Sequence, residues 1–320
     1  MGWLSAPLEG FLKVAELGSV SRAAERLHVT QPAVTKQVRA LEQSLGATLL
    51  ERTGQGVRLT DAGELVAQYG RTGLRVVDEC RQALAELGAG DTGKLTLGAG
   101  VTTSVFQLPA WLRQFRRERP KVEIIVRTGT SRIVTEQVLE REVDLGFVTS
   151  PVSRGGLKEK VLYREEIVLV VSPDFASDGR VLLENIPLIL FPSTTGFRNY
   201  LNDKLGSERL AQQVRMETDS VEAIKSFVMV GLGGAFLPIT AVAHELAKRR
   251  LKRLRLSPRP ALHRSTAVLC RRDRYAGAAV RHFLRIIGAD DLARQDQVFR
   301  EVRRDGSRDP STSLGRTRRR

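Results

Sequence analysis

Cysteine is nearly absent. Cys80 and Cys270 are the only two in 320 residues, far apart and without paired spacing. That excludes a disulfide framework and a metal knuckle, and both read as plain buried thiols. Histidine is almost as scarce: His28, His244, His263 and His282 never fall at i, i+4 or beside a cysteine pair, so no metal site is expected. No apolar run approaches the roughly 18 residues of a membrane span, and the opening MGWLSAPLEG lacks a basic region followed by an apolar core. A cytoplasmic protein with no membrane partner is expected. Gly98 and Gly100 form a lone GxG with no following GxxG or GKS, and no nucleophile, base and acid stand in a catalytic pattern. Neither a cofactor nor an enzyme is expected.

What the chain has is apolar substance and positive charge. At 42% hydrophobic residues it can bury real cores, and its length suggests about two domains. A net charge of +15 invites a nucleic-acid reading, but its location matters more than its size. Residues 241–320 hold 22 Lys and Arg against 8 Asp and Glu, which leaves 29 against 28 in the first 240. Global basicity therefore lends no support to nucleic-acid binding by the N-terminal part. Residues 291–320 read as a basic, disordered tail, with 8 arginines from Arg300 onward and almost no apolar residue after Val302.

The densest local signal is SVSRAAERLHVTQPAVTKQVRALEQSL, Ser19 to Leu45: two short helical patterns across a tight break. The first opens at Ser21 as N-cap, and its small residues Ala23 and Ala24 would let a second helix approach closely. The second begins at Thr30 with Pro32 in the first turn and spaces Val34, Val38, Leu41 and Leu45 along its buried side. Gln31, Thr35, Lys36, Arg39 and Glu42 share the opposite side, which suits base edges and phosphates but also suits solvent.

The continuous run FLKVAELGSVSRAAERLHVTQPAVTKQVRALEQSLGATLLERTGQGVRLTDAGE, Phe11 to Glu64, resembles the winged helix-turn-helix of LysR-type transcriptional regulators. The resemblance implies that the Thr30–Leu45 helix enters the major groove of double-stranded DNA. Gln31, Thr35, Lys36 and Arg39 then hold the DNA-facing positions, with Arg52 and Arg58 on a wing over residues 52–60. Two residues depart from the family pattern: Gln55 stands where a second basic residue is usual, and Leu50 where an aromatic is. The resemblance also implies a homodimer, assembled further into a homotetramer, on an operator with inverted-repeat half-sites.

Thr60, Asp61 and Glu64 form a capping arrangement that starts a long helix, and Leu65, Val66, Tyr69, Val76, Val77, Cys80, Leu84 and Leu87 make a stripe suited to packing on a second copy. Gly70 and Gly73 weaken that helix, and Gly88, Gly90 and Gly93 mark a hinge. The expected organisation is a DNA-binding domain over residues 1–60, a dimerisation linker over 61–93, an α/β domain over 94–290 and the tail. From Lys94, β-branched runs alternate with helical patterns, including a single helix from Val105 to Arg119 and another from Ile133 to Glu142; this indicates a parallel sheet.

The region resembles the two-lobed effector-binding domain of the same regulators, which shares its fold with type 2 periplasmic binding proteins. Hydroxyl-rich strand exits are where such folds take ligands, because strand ends meet helix N-termini there. This chain offers Thr102, Thr103 and Ser104; Thr130, Ser131 and Arg132; Thr149; and Thr195 with Arg198. A small polar, anionic effector is expected, with Arg132 or Arg198 as its counter-ion.

Overall fold

The computed structural model describes residues 2–54, 56–88, 93–152, 154–175, 181–256 and 261–293. Gln55, residues 89–92 of the expected hinge and the tail from 294 onward lie outside them. Two compact units divide the chain, Met1–Leu84 and Ala85–Arg320.

In the first unit three helices, α1 (Gly2–Leu17), α2 (Val20–Leu27) and α3 (Gln31–Leu45), are followed by a hairpin of β1 (Leu50–Thr53) and β2 (Gly56–Leu59) and by α4 (Asp61–Gly88). Phe11, Val14, Ala23, Ala24, Val34, Val38, Leu41, Leu49 and Ala67 form the core. Ala23 and Ala24 are buried where α2 packs on its neighbours, as two helices crossing over a short turn require.

Ser19, two residues before the expected Ser21, caps α2: its backbone is extended and its Oγ accepts from the Arg22 N–H at 3.4 Å. Ser21 lies inside the first turn and donates to Gln31 Oε1 at 3.2 Å. Thr30, where the second helix was expected to begin, is its N-cap, and α3 proper starts at Gln31. Leu45 is 49% exposed, because Gly46 in a left-handed conformation ends the helix there.

Glycine has a structural reason at two points of α4. A Cβ on Gly63 would stand 2.1 Å from the Leu49 carbonyl oxygen, and one on Gly70 would stand 2.7 Å from Leu8 Cδ1 of α1. Gly70 thus lets α1 approach, where the sequence alone suggested only weakness. Cys270 is buried, and burial pushes its thiol up to about 11. Cys80 is exposed on α4, contrary to expectation.

The second unit alternates strands and helices: β3 (Gly93–Ala99), α5 (Val101–Phe106), α6 (Leu108–Glu118), β4 (Val122–Thr128), α7 (Ser131–Leu139), β5 (Leu145–Ser150) and β6 (Leu157–Val171). There follow β7 (Leu188–Leu190), α8 (Gly196–Leu205), α9 (Ser207–Gln213), β8 (Val214–Glu217), α10 (Val221–Met229), β9 (Ala235–Pro238), α11 (Ile239–Ala247), β10 (Lys252–Leu254), β11 (His263–Arg271) and α12 (Ala278–Ile286).

β4, β3 and β5 are parallel, as expected, but β11 runs antiparallel to both β5 and β6, so the sheet is mixed. The 15-residue β6 belongs to both lobes. Its first part pairs with β11, while Ile167–Val171 pair with β9 and β10. One lobe packs around Leu95, Leu97, Phe115, Phe147 and Phe283, and the other around Leu188, Leu190, Leu201, Ile224 and Leu237.

The expected helix from Val105 to Arg119 is two helices. Pro109 lacks the N–H a helix interior needs, so α6 has to restart just before it, at Leu108. α7 starts two residues before the expected Ile133, set by the Thr130 cap, and ends at Leu139.

Candidate functional site

On α3, Val34, Val38 and Leu41 anchor one side in the core and leave Gln31, Lys36 and Arg39 exposed on the other. A shallow concave strip along the helix is lined by Gln31, Pro32, Thr35, Lys36, Arg39, Ala40 and Gln43. Thr35 is half-buried and donates to the Gln31 carbonyl at 3.0 Å, which fixes its rotamer. Glu42, placed on the same side by periodicity, turns away: its Oε1 accepts from the Leu49 N–H at 2.8 Å and the Leu50 N–H at 3.3 Å. The strip is left cationic and hydrogen-bonding, without an acid.

Beside it, β1 and β2 pair with Glu51 opposite Arg58. The Arg58 guanidinium, 77% exposed, meets the Glu51 carboxylate at 2.8 Å. Such a surface pair contributes little and leaves the guanidinium able to exchange partners. Arg52 lies on β1 opposite Val57.

In the second unit, β3 ends at Ala99 and α5 begins directly after Gly100, so Thr102, Thr103 and Ser104 lie in the first turn of the helix that leaves the strand. Ser104 donates to the Gly100 carbonyl at 3.1 Å, and Thr103 is buried. Thr130 caps α7 by accepting from the Ile133 N–H at 3.3 Å. Ser131 Oγ accepts from the Thr149 N–H at 3.1 Å, which joins two of the expected exits. Thr149 pairs with Thr266 on β11, and Thr266 on its other side pairs with Tyr163 on β6.

Burial raises the Tyr163 hydroxyl above its ordinary pKa, with Thr266 and Thr103 pulling the other way. Glu165, two residues on, is buried. It accepts from Arg264 Nε at 2.7 Å and from the Thr240 hydroxyl of α11 across the lobe junction. Sequence reasoning missed Tyr163, Glu165, Arg264 and Thr266. The one available signal was the charged run Arg164, Glu165 and Glu166 inside the otherwise apolar VLYREEIVLVV.

Thr195 caps α8, accepting from the Arg198 N–H at 3.2 Å and donating to the Pro192 carbonyl at 2.9 Å. Arg198 is buried within its own lobe, bonded to Glu217 at 2.9 Å, to the Phe191 carbonyl at 3.2 Å and to Asn202 at 3.2 Å. Arg132 stands 72% exposed in an ion pair with Glu136 of its own helix. The structure thus brings Ser131 to Thr149 and Thr103 to Tyr163, while Thr195 and Arg198 spend their hydrogen bonds inside the second lobe and neither arginine presents an unpaired guanidinium. α5 reaches that lobe through Phe106, whose ring lies 5.3 Å from Lys225 Nζ.

Residues 6–64 match the family described as "Bacterial regulatory helix-turn-helix protein, lysR family", and residues 88–291 match "LysR substrate binding domain". An HTH-type transcriptional regulator YofA from Bacillus velezensis is 32% identical over 248 residues, 77% of this chain and 85% of that protein. A probable RuBisCO transcriptional regulator from Thalassiosira pseudonana is 31% identical over 249 residues, 74% of this chain and 81% of the relative. Full-length CbnR, solved with its target DNA, superposes with a TM-score of 0.66 at 22% identity, covering 89% of this chain and 99% of that one. A full-length OxyR variant from Pseudomonas aeruginosa gives 0.62 at 23%, covering 90% and 94%. At that identity both establish a shared fold. No helix among the described residues is long and apolar enough to cross a membrane.

Proposed function

The chain belongs to the LysR family of transcriptional regulators, and from that premise we propose how it reads DNA and what it answers to. It is a DNA-binding regulator with an effector-binding domain and not an enzyme. In our reading, residues 1–60 bind DNA, 61–93 dimerise and 94–290 bind the effector. α3 lies in the major groove, with Gln31, Thr35, Lys36 and Arg39 toward the bases and phosphates and with Arg52 and Arg58 of the hairpin on the flanking backbone. Two copies, joined along α4 and paired again into a tetramer, meet inverted-repeat half-sites.

The observation that carries this reading is the α3 strip, kept free of acid because Glu42 caps the wing. Arg39→Ala should weaken binding to a mapped operator about tenfold or more, the scale of losing one good contact to a base or phosphate, while dimer mass and effector-induced thermal shift stay unchanged. Affinity within about twofold of wild type would place another element in the groove.

The effector in this reading is small, polar and anionic. It is held by Thr102, Thr103, Ser104, Thr130, Ser131, Thr149 and Thr195, and its binding biases the arrangement of the lobes and so the spacing of the DNA-binding pairs. Support comes from the Ser131 hydroxyl, which accepts from the Thr149 N–H, and from the buried Tyr163 hydroxyl on the strand beside Thr266, which has no hydrogen-bond partner among the described residues. The charge is the weaker part. Arg198 is already paired with Glu217 and Arg132 with Glu136, so an anion would compete with those carboxylates for the same charge. A thermal-shift panel of small carboxylates against their uncharged amides separates the two, since a ligand of the native state raises the melting temperature by mass action. Equal shifts from amide and carboxylate would remove the anionic charge from the proposal.

A further inference from the structure

We propose that the cationic run Lys248–Arg255, on the second lobe of the effector-binding domain, is a second contact for double-stranded DNA, made to phosphates and blind to sequence. The inference rests on the DNA reading above and adds to it a site remote in sequence from the helix-turn-helix.

The basic excess of this chain lies after residue 240, whereas the groove-reading helix ends at Leu45. Within the described part of that excess, Lys248, Arg249, Arg250, Lys252, Arg253 and Arg255 follow one another around the end of α11 and along β10. All six are exposed, and only Leu251 and Leu254 turn into the core. Arg253 is ion-paired with Glu166, and Lys252 reaches the Phe175 carbonyl at 3.4 Å. Among the described residues, no carboxylate is joined to Lys248, Arg249, Arg250 or Arg255. Glu245, the acid nearest in sequence, is held by Lys225 at 2.9 Å.

Edge protection accounts for part of this. β10 is an outer strand of the sheet, and a lysine on an edge deters pairing with other chains. Lys248, Arg249 and Arg250, however, precede the strand, where there is no edge to guard. Arg249 is held there at a φ of 55°, a left-handed conformation that favours glycine or asparagine over arginine. So dense a set of like charges repels itself unless anions lie against it.

The strand positions from 252 to 255 span about 10 Å, and the arginine forks match phosphate oxygens two at a time. DNA is the polyanion the arrangement favours, because a duplex presents phosphates in a regular row that successive arginine forks can engage, and DNA is already the partner of α3 in the reading above. An acidic protein would have to come from solution.

The test uses the full chain and a random-sequence duplex of about 60 base pairs, with affinity measured against salt. A variant carrying Lys248→Gln, Arg249→Gln, Arg250→Gln and Arg255→Gln should lose about 3 to 4 units of the log–log salt slope. Arg39→Ala should lose about one unit and its preference for operator over random DNA. An unchanged slope in the fourfold variant overturns the inference alone; failure of the wild type to retain any duplex at low salt overturns both readings. Where the fourfold variant does not fold, amine labelling of the wild type decides: Lys248 should be protected several-fold by the duplex, and equal labelling with and without it overturns the proposal. Polyglutamate at equal charge should leave the duplex bound, and its displacement of the duplex would favour an acidic protein as the partner.

Discussion

Arg198 shows how one side chain can read as a ligand's counter-ion and serve the fold instead. Its guanidinium is 6% exposed and answers Glu217, the Phe191 carbonyl and Asn202. Removing it leaves the Phe191 carbonyl and Asn202 without their donor and a cavity where the guanidinium lay, while Glu217, 42% exposed, turns to water, so Arg198→Ala should lower stability by about 1 to 3 kcal/mol even without effector. An unaltered melting curve would return Arg198 to the role of a pure ligand contact. Lys225 is a second case. Burial works against its charge, but hydrogen bonds to Glu245 and Glu222 outweigh burial and hold its pKa above 10.5; burial likewise opposes the Glu245 charge, and the Lys225 contact holds that carboxyl below 4.5. The lysine's contribution is complete below 10.5 and is lost as pH rises through its raised value. The carboxylate's is complete above 4.5 and is lost as pH falls through its lowered one. Lys225→Met should therefore melt below wild type on a plateau between these limits, with the gap closing at both ends; a gap independent of pH would mean that only packing was lost. Neither role was legible in the sequence, because Glu217 and Glu245 are set by strand and helix placement and not by spacing.

Secondary structure was more legible, because its signals are local. Thr30, Thr130, Thr195 and Ser220 all cap the helices that follow them, and a hydroxyl before an apolar period carries that information by itself. Reading failed where two local signals competed. The apolar period runs on through Gln107, but Pro109 requires a new first turn. Gly63 sets helix propensity against packing. Alanine in its place should help α4 by about 1 kcal/mol on propensity, yet its Cβ would stand 2.1 Å from the Leu49 carbonyl oxygen. Backbone cannot yield as a side-chain tip can, so Gly63→Ala should destabilise the first unit by about 2 kcal/mol or more. A rise in its melting temperature would show that the hairpin moves aside.

For the molecule as a whole, the proposed dimer would rest on the exposed side of α4. Leu65, Tyr69, Val76, Val77 and Leu84 are all more than one-third exposed, an apolar stripe of the kind a partner helix covers. Tyr69→Glu with Leu84→Glu should convert a dimer to a monomer in sedimentation and weaken binding to an inverted repeat by about 100-fold or more, as loss of the second, tethered half-site requires; an unchanged mass would move the interface elsewhere. The sequence by itself determined the helix-turn-helix, the long helix and the alternating α/β region, because capping, proline and hydrophobic period act over a few neighbouring residues. It also placed most of the positive charge at the end away from the recognition helix. Only the tertiary structure decided the rest. Tyr163, Glu165, Arg264 and Thr266 become a cluster because β11 returns antiparallel against β6 some 100 residues later in the chain, and Glu42 leaves the exposed side that carries Gln31, Lys36 and Arg39 because the Leu49 and Leu50 N–H groups arrive beside it. Contacts of that kind depend on which strands pair and which lobes meet, and no periodicity encodes them.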